Sequence, residues 1–338
     1  MNKNLEAGIT FNLRKNIASH LSDAEAELDD IETIRAIQNA LEKAGASVTQ
    51  YEATEDLPAR LLKKRPDIVF NIAEGLNGRG REAQVPAILS FLGIPFSGSD
   101  ETTMCVAMDK ALTKRLVSSW GVSTPDYEIV RSGAPIQDIR LPFPVIVKPN
   151  TEGSSKGITD LSIAGDAAAL RRLLSEKIDA YREDMLVEEY ISGREFTVGM
   201  LGNGKNLRVF PPMEIIFNDR AHGIYSREVK KDFRKYVSYK CPADIDGETE
   251  REMESAAETV YRSLECRDFA RMDFRLSPEG KPYFIEINPL PGLAPGYSDF
   301  PMIASFSGMD YTALINAILT CALERYGLRR GAHGGRDE

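Results

Sequence analysis

The residues best suited to chemistry lie in one stretch near the C-terminal end. Arg271 and Asp273 are two residues apart, and so are Glu286 and Asn288. In extended backbone each such pair shares a face. Segments 268–276 and 282–288 have strand composition, and Ser277-Pro278-Glu279-Gly280-Lys281 between them has turn composition. Folded as a hairpin, the strands bring two carboxylates and an amide oxygen together beside a guanidinium. Such an oxygen set suits a hard cation, with magnesium bridging nucleotide phosphates as the example. A solvated edge hairpin would carry the same residues, so the next segment matters. Asn288-Pro-Leu-Pro-Gly-Leu-Ala-Pro-Gly is a stiff loop at a strand end, a common place for a site.

Three other stretches point the same way. Residues 143–148 read as an apolar strand that delivers Lys148 into a loop rich in glycine and serine, Glu152 to Gly157. Backbone N–H groups and hydroxyls in such a loop cradle phosphate oxygens, although a surface hairpin has similar composition. Glu188-Glu189-Tyr190-Ile191, with Glu195 beyond, alternates apolar and acidic groups. That suits either an adenosine or a half-buried strand. Between Arg227 and Lys240, six basic side chains stand against two acidic ones, enough to close over an anion or simply to be solvated.

These residues need elements to position them. A short strand at 7–11, a helical apolar stripe (Leu28, Ile31, Ile34, Ile37, Leu41), Gly45 at its end and strands at 47–51 and 67–73 read as βαβ units. A helix at 82–92 and a strand near Ile94 continue the alternation. The first hundred residues therefore read as a doubly wound α/β unit. Farther on, helices are expected at 166–178, 248–264 and 311–326, and strands at 185–191 and 194–201. Residues 218–240 read as one long loop, and the last ten as a tail.

Composition removes other classes. The chain has 338 residues, 42 Lys and Arg against 51 Asp and Glu, and a net charge of -9. That charge disfavours a broad nucleic-acid or anionic-membrane surface. No apolar run is long enough for a membrane span, and no signal-peptide segment opens the chain. Four scattered cysteines without CxxC spacing suit a reducing, cytoplasmic setting. With three histidines, His20, His222 and His333, any metal is expected on oxygen. Two look-alike motifs are set aside. Gly153-Ser154-Ser155-Lys156-Gly157 matches GxSxG but lacks a well-placed histidine. Gly78 to Ala83 matches GxGxxA but opens several residues after its strand.

Taken in order, the segments resemble the ATP-grasp superfamily and, within it, the D-alanine–D-alanine ligase family. The matching stretches are IPFSGSD, MDKALTK, PVIVKPNTEGSSKGI, LVEEYISGREFTV, YKCPA, RMDF and FIEINPLPG. The resemblance implies a three-domain α/β architecture with α+β character toward the C-terminus. Its parts would be residues 1–104, 105–190 and 191–328, with a tail at 329–338. It implies that Lys110 and Lys148 contact nucleotide phosphates, and that Ser154 and Ser155 lie in the loop over them. Glu188, Glu189 and Ile191 would form the adenine hinge, with Glu195 on the ribose. Asp273, Glu286 and Asn288 would ligate Mg2+ or Mn2+. Arg271 would assist the transferred phosphoryl group, with Ser154 and Lys230 also in catalytic roles.

The implied reaction is ATP-dependent joining of a carboxylate to an amine through an acylphosphate. The implied partners are small molecules, without nucleic acid or membrane, and the family suggests a homodimer. The amino-acid half departs from the family. The family's N-terminal glycine-rich stretch with its substrate-binding Glu is absent; Glu25, Glu27 and Asp29 are available instead, and the sequence does not choose among them. Glu74 stands where the family has a histidine, and Lys231 where it has a tyrosine. Ser298 is the best match for the serine that holds the second substrate's carboxylate. D-alanine is therefore one candidate substrate and another amino acid or acid a second. A non-catalytic ATP-binding module is the reading from a different class.

Overall fold

The computed structural model describes residues 5–15, 25, 27–152, 162–217 and 236–328. The N-terminal part is a parallel sheet of β1 (Glu6–Phe11), β2 (Ser47–Glu52) and β3 (Ile68–Asn71), in the order β2-β1-β3. Residues 95–97 extend it: Val69 N–H donates to Pro95 O and Ser97 N–H to Val69 O, both at 2.8 Å. Helix α1 (Ile31–Lys43) covers one face, burying Ile34, Ile37 and Leu41 against Ile9 and Phe70. Leu28 lies before this helix, which starts after Asp30. Helices α2 (Leu57–Lys63) and α3 (Gln84–Leu92) cover the other face, where Leu61 and Leu89 meet Val69 and Phe96. Helices on both faces make this the doubly wound unit that the alternation predicts.

Two helices not marked by an apolar stripe follow, α4 (Glu101–Met108) and α5 (Lys110–Ser119). Aspartates start both. Asp100 accepts from Thr102 N–H and Thr103 N–H, and Asp109 from Leu112 N–H. An antiparallel sheet then forms from β4 (Tyr127–Val130), β5 (Val145–Pro149), β6 (Ile163–Ala164) and β7 (Met185–Glu189), in the order β4-β7-β5-β6. Helix α6 (Ala167–Tyr181) backs it with Leu170 and Leu174.

The last sheet contains β8 (Arg194–Leu201), β9 (Arg208–Val209), β10 (Met213–Phe217), β11 (Val237–Lys240), β12 (Phe269–Leu276) and β13 (Pro282–Asn288). Its order is β11-β10-β8-β12-β13, with β9 on β8. Helix α7 (Gly247–Ser263) packs Met253, Ala257 and Val260 on Phe196, Val198, Met272 and Phe274. Helices α8 (Asp299–Phe306) and α9 (Tyr311–Arg325) close the chain, and α9 shares a core with α1. Among the described residues no single helix is long and apolar enough to cross a membrane.

The expected loop over 218–240 is partly wrong. Residues 237–240 form β11, antiparallel to β10, with Val237 opposite Phe217 and Tyr239 opposite Ile215. Alternating Val237 and Tyr239 supply the period of two, masked in the sequence by the basic run before them. Residues 218–235, including Lys230, lie outside the described residues. The expected strand at 185–191 ends at Glu189, and residues 190–193 connect the two antiparallel sheets.

Candidate active site

Strand β12 alternates strictly. Ala270, Met272 and Phe274 are buried in the core under α7. Arg271, Asp273 and Arg275 therefore share the opposite face. Their neighbours on β8 are Gly199, Thr197 and Glu195 respectively. Asp273 is also paired with Glu286, and Arg271 with Asn288, on β13. The expected convergence of Asp273, Glu286, Asn288 and Arg271 is present.

Strand β13 is less regular than its sequence suggests. The register shifts by one residue beside Asp273: Glu286 faces Asp273, but Phe284 faces Phe274. Pro282, Phe284 and Ile287 are buried, so the inward period breaks at Ile285. Ile285 is the extra residue of a bulge, and it does not share a face with Ile287 in a uniform alternation. The bulge turns Glu286 away from the core side of Phe284, a device common beside active sites.

Side-chain bonds hold this face together. Arg271 forks onto Asp273, with Nε to Oδ1 at 3.0 Å and Nη2 to Oδ2 at 2.8 Å. Its Nη1 lies 3.4 Å from Asp299 Oδ2. Burial alone would lower the Arg271 pKa; the carboxylates of Asp273 and Asp299 outweigh it and raise it. Thr197 Oγ1 donates to Asp273 Oδ1 at 2.7 Å, and Asn288 Nδ2 to Asp273 Oδ2 at 3.3 Å. Asp273, Glu286 and Asn288 together form a hard-oxygen donor set that fits Mg2+ or Mn2+.

The lysines come from two elements clipped to each other. Lys110 N–H donates to Asn150 O at 3.1 Å, and Ala111 N–H to Asn150 Oδ1 at 3.0 Å. Asn150 Nδ2 donates to Asp109 Oδ1 at 2.9 Å. This ties the start of α5 to the end of β5. Lys110 Nζ then reaches Glu286 Oε2 at 3.6 Å and donates to Glu152 O. One helical turn on, Lys114 Nζ sits 2.9 Å from Glu188 Oε2, and Lys148 Nζ sits 2.5 Å from Glu188 Oε1. Burial would raise the Glu188 carboxyl pKa, but Lys114 and Lys148 reverse this and hold it low. The Glu188 side chain therefore braces Lys148, which the sequence reading, placing Glu188 at a base, does not anticipate. Lys114 is likewise missed; its spacing of four from Lys110 is the signal that finds it.

Glu189 ends β7, its N–H bonded to Asp126 O at 2.9 Å. Ile191 is buried in the connection between the sheets. Glu195 stands on β8, ion-paired with Arg275 at 2.8 Å. Burial pushes the Glu195 carboxyl upward and Arg275 opposes it.

A small cleft, with about 40 Å³ of room and open to solvent, lies beside these groups. Lys110, Glu286 and Asn288 line one side of it, and Glu27, Glu74 and Glu82 another. Of the three N-terminal acids left open by the sequence, Glu27 is the one that reaches this cleft. Carboxylate oxygens of Glu27, Glu74 and Glu82 lie within 4.8 Å of one another. Arg81 grips Glu27 with Nη2 to Oε1 at 2.7 Å and Nε to Oε2 at 3.2 Å. It also donates to Thr151 O at 3.2 Å and Glu152 Oε2 at 3.1 Å. Burial, reinforced by neighbouring carboxylates, pushes Glu82 up to about 7 and Glu74 well above its ordinary value.

Ser298 is the residue before α8, and its Oγ accepts from Ala294 N–H at 3.1 Å. Ser154, Ser155 and Lys230 lie outside the described residues.

Residues 116–320 match the family model described as the D-ala D-ala ligase C-terminus. The chain is 36% identical to the D-alanine–D-alanine ligase of Aquifex aeolicus over 296 residues, 86% of this chain and 94% of that one. It is also 36% identical to an uncharacterized protein, y4sG, of Sinorhizobium fredii over 270 residues, 80% of this chain and 79% of that one. The fold is that of the D-alanine–D-alanine ligase from Bacillus anthracis solved with ATP, at TM-score 0.75 and 23% identity over 96% of this chain and 99% of that one. The likeness runs through both halves of the molecule, and the chain belongs to the D-alanine–D-alanine ligase family.

Proposed function

We propose that this protein is an ATP- and magnesium-dependent ligase joining the carboxylate of an amino acid to a second molecule's amine. The observation that carries this reading is the shared wall of β12 and β13. Asp273, Glu286 and Asn288 stand there beside Arg271 and Lys110, and an acidic cleft lies next to them. A nucleotide between the two antiparallel sheets would meet Lys110 and Lys148 with its phosphates. Its base would meet the connection at Glu189 and Ile191, and its sugar Glu195. Ser154, Ser155 and Lys230 would close over the phosphates.

The reaction follows from charge and position. The amino acid's ammonium enters the cleft beside Glu27, Glu74 and Glu82, which leaves its carboxylate facing Lys110 and Arg271. The γ-phosphoryl group passes from ATP to that carboxylate, giving an acylphosphate and ADP. The second substrate, its own carboxylate at Ser298 and the start of α8, attacks the carbonyl carbon through its free amine. The tetrahedral adduct expels phosphate, the nitrogen gives up a proton, and the amide remains. Arg271 and Lys110 neutralise the charge that builds up on oxygen. A bound Mg2+ or Mn2+ would supply further neutralisation of the phosphates. The chain's task is mainly positioning, and the steps above call for no protein nucleophile.

D-alanine as both substrates is one reading. The acidic composition of the cleft motivates a second reading to be tested beside it. Three acids gather here, Glu27 paired with Arg81 and Glu74 and Glu82 held toward the neutral form, so the cleft presents protonated carboxyls as well as charge. An amino acid with an additional hydrogen-bonding or cationic group is the alternative substrate that these carboxyls could hold. We further propose a cytoplasmic enzyme acting on small molecules alone, as a homodimer; the four free cysteines support the compartment. The test is ADP and phosphate release with Mg-ATP across D- and L-amino acids, singly and in pairs, with product masses. Release with D-alanine alone identifies the first reading, and release only with an amino acid carrying such a group the second. No release with any pair overturns the ligase proposal.

A further inference from the structure

We propose that Arg275 is a positioning residue for the nucleotide: it fixes the connection between the two antiparallel sheets and holds Glu195 against the nucleotide's sugar. The inference rests on the ATP site proposed above. Nothing in the family resemblance singled out this position; the geometry does. One guanidinium serves a run of consecutive chain. Arg275 Nε donates to Ile191 O at 2.7 Å, Nη2 to Gly193 O at 3.1 Å and to Tyr190 Oη at 3.3 Å, and Nη1 to Glu195 Oε2 at 2.8 Å. The guanidinium carbon also stands 5.0 Å from the centre of the Tyr190 ring. The Arg275 side chain is only 9% exposed.

These contacts make a device. Residues 190–193 lie between β7 and β8, and the carbonyls of Ile191 and Gly193 there are taken by Arg275. Arg275 supplies donors in the rigid planar fork that a lysine cannot reproduce. The same fork aligns Glu195 across the β8–β12 pair, where the two residues are direct partners. Burial raises the Glu195 carboxyl above its ordinary value, and Arg275 is the group that opposes this, favouring the acceptor form that would take sugar hydroxyls. Arg275 sits two residues from Asp273 on one face of one strand. A single strand thus sets both ends of the nucleotide site, the phosphate–cation end and the sugar end.

The test is direct binding, so it needs no knowledge of the acceptor substrates. Calorimetry would give the Kd of Mg-ATP and of Mg-2′,3′-dideoxy-ATP for wild type, Arg275→Met, Arg275→Lys and Glu195→Gln. Wild type should prefer ATP. Arg275→Met should weaken both nucleotides through the loosened connection and ATP about tenfold more than dideoxy-ATP, whereas Glu195→Gln should weaken ATP alone. Arg275→Lys, which keeps the charge but not the fork, should also lose most of the preference. An unaltered preference in either Arg275 variant, or equal weakening of both nucleotides, would overturn the proposal. Should Arg275→Met not fold, Arg275→Lys is read by the same criterion. Wild-type protein that binds neither nucleotide would instead overturn the ATP reading, and wild-type binding without sugar preference this inference alone.

Discussion

Glu286 is the side chain whose position is most at odds with simple strand periodicity, and the bulge that turns it outward puts it 3.6 Å from Lys110. A residue so placed should matter to turnover more than to folding. Glu286→Gln keeps the volume and removes the charge. It should lower kcat by about a hundredfold or more, since losing one preorganised charge-stabilising group costs that order. Its melting temperature should stay within about 2 °C, in line with a surface-type substitution. Unchanged turnover would remove Glu286 from the cation site. Glu82 gives a pH prediction. Its carboxyl is raised from 4.5 to about 7 in the folded protein. A raised carboxyl adds stability at low pH that is lost as pH climbs through about 7. Glu82→Gln should therefore raise the melting temperature of the ligand-free protein at pH 8 and change it little at pH 5. Binding of an ammonium substrate should run the other way and strengthen as pH rises through 7. Equal effects of the substitution at pH 5 and pH 8 would show that Glu82 is not held protonated by its surroundings.

At the scale of elements, the connection between the sheets is built around Gly193. Its φ is +119°, and a Cβ there would stand 2.2 Å from Leu276 O at the end of β12. Gly193→Ala should cost more than about 1 kcal/mol and weaken ATP binding, because both backbone strain and a clash with main chain oppose it. Gly133 is the control: its φ is +78°, with open space around its Cβ position. Gly133→Ala pays strain alone, so thermal melts should show the smaller loss and ATP titration no change. The contrast also shows what is legible in a sequence. Arg271, Asp273, Glu286 and Asn288 announce themselves through spacing of two in strands with strong turn chemistry between them. Arg275 obeys the same spacing, and its partners, main-chain carbonyls some eighty residues away, leave no trace. Glu27 is hidden for a similar reason, since only the fold brings it beside Glu74 and Glu82. The helices α4 and α5 lack a clean stripe because α5 buries polar Lys110, Thr113 and Lys114 for the site; the capping aspartates Asp100 and Asp109 are the signal that survives.

For the molecule as a whole, Asp268 decides how the parts hold together. It is fully buried just before β12, with a positive φ of 64°. Its carboxylate accepts from Gly98 N–H at 2.9 Å in the N-terminal part and from Asn203 Nδ2 at 2.7 Å after β8. It also accepts from Arg325 Nη2 at 2.8 Å at the end of α9. Arg325 in turn donates to Phe96 O at 2.7 Å. Three distant stretches therefore meet on one buried charge. The apolar core supports the same union, because Ile34 and Ile37 of α1 share a cluster with Leu314 and Ile318 of α9. Asn316 Nδ2 donates to Ala40 O at 3.0 Å across that contact. Asp268→Ala leaves the Gly98 N–H and the Asn203 amide without their buried acceptor and Arg325 without its counter-charge, and should cost about 3–5 kcal/mol. Arg325→Ala should cost a similar amount, because it leaves the fully buried Asp268 carboxylate without its cation. The single tryptophan, Trp120, packs near α7, far in sequence from both helices of the shared core. If the parts are one cooperative unit, urea unfolding followed by Trp120 fluorescence and by far-ultraviolet circular dichroism should superimpose in wild type. Asp268→Ala should move both curves together to lower urea. Curves that separate in the variant would mean that the Asp268 junction, more than the α1–α9 core, joins the N-terminal sheet to the rest.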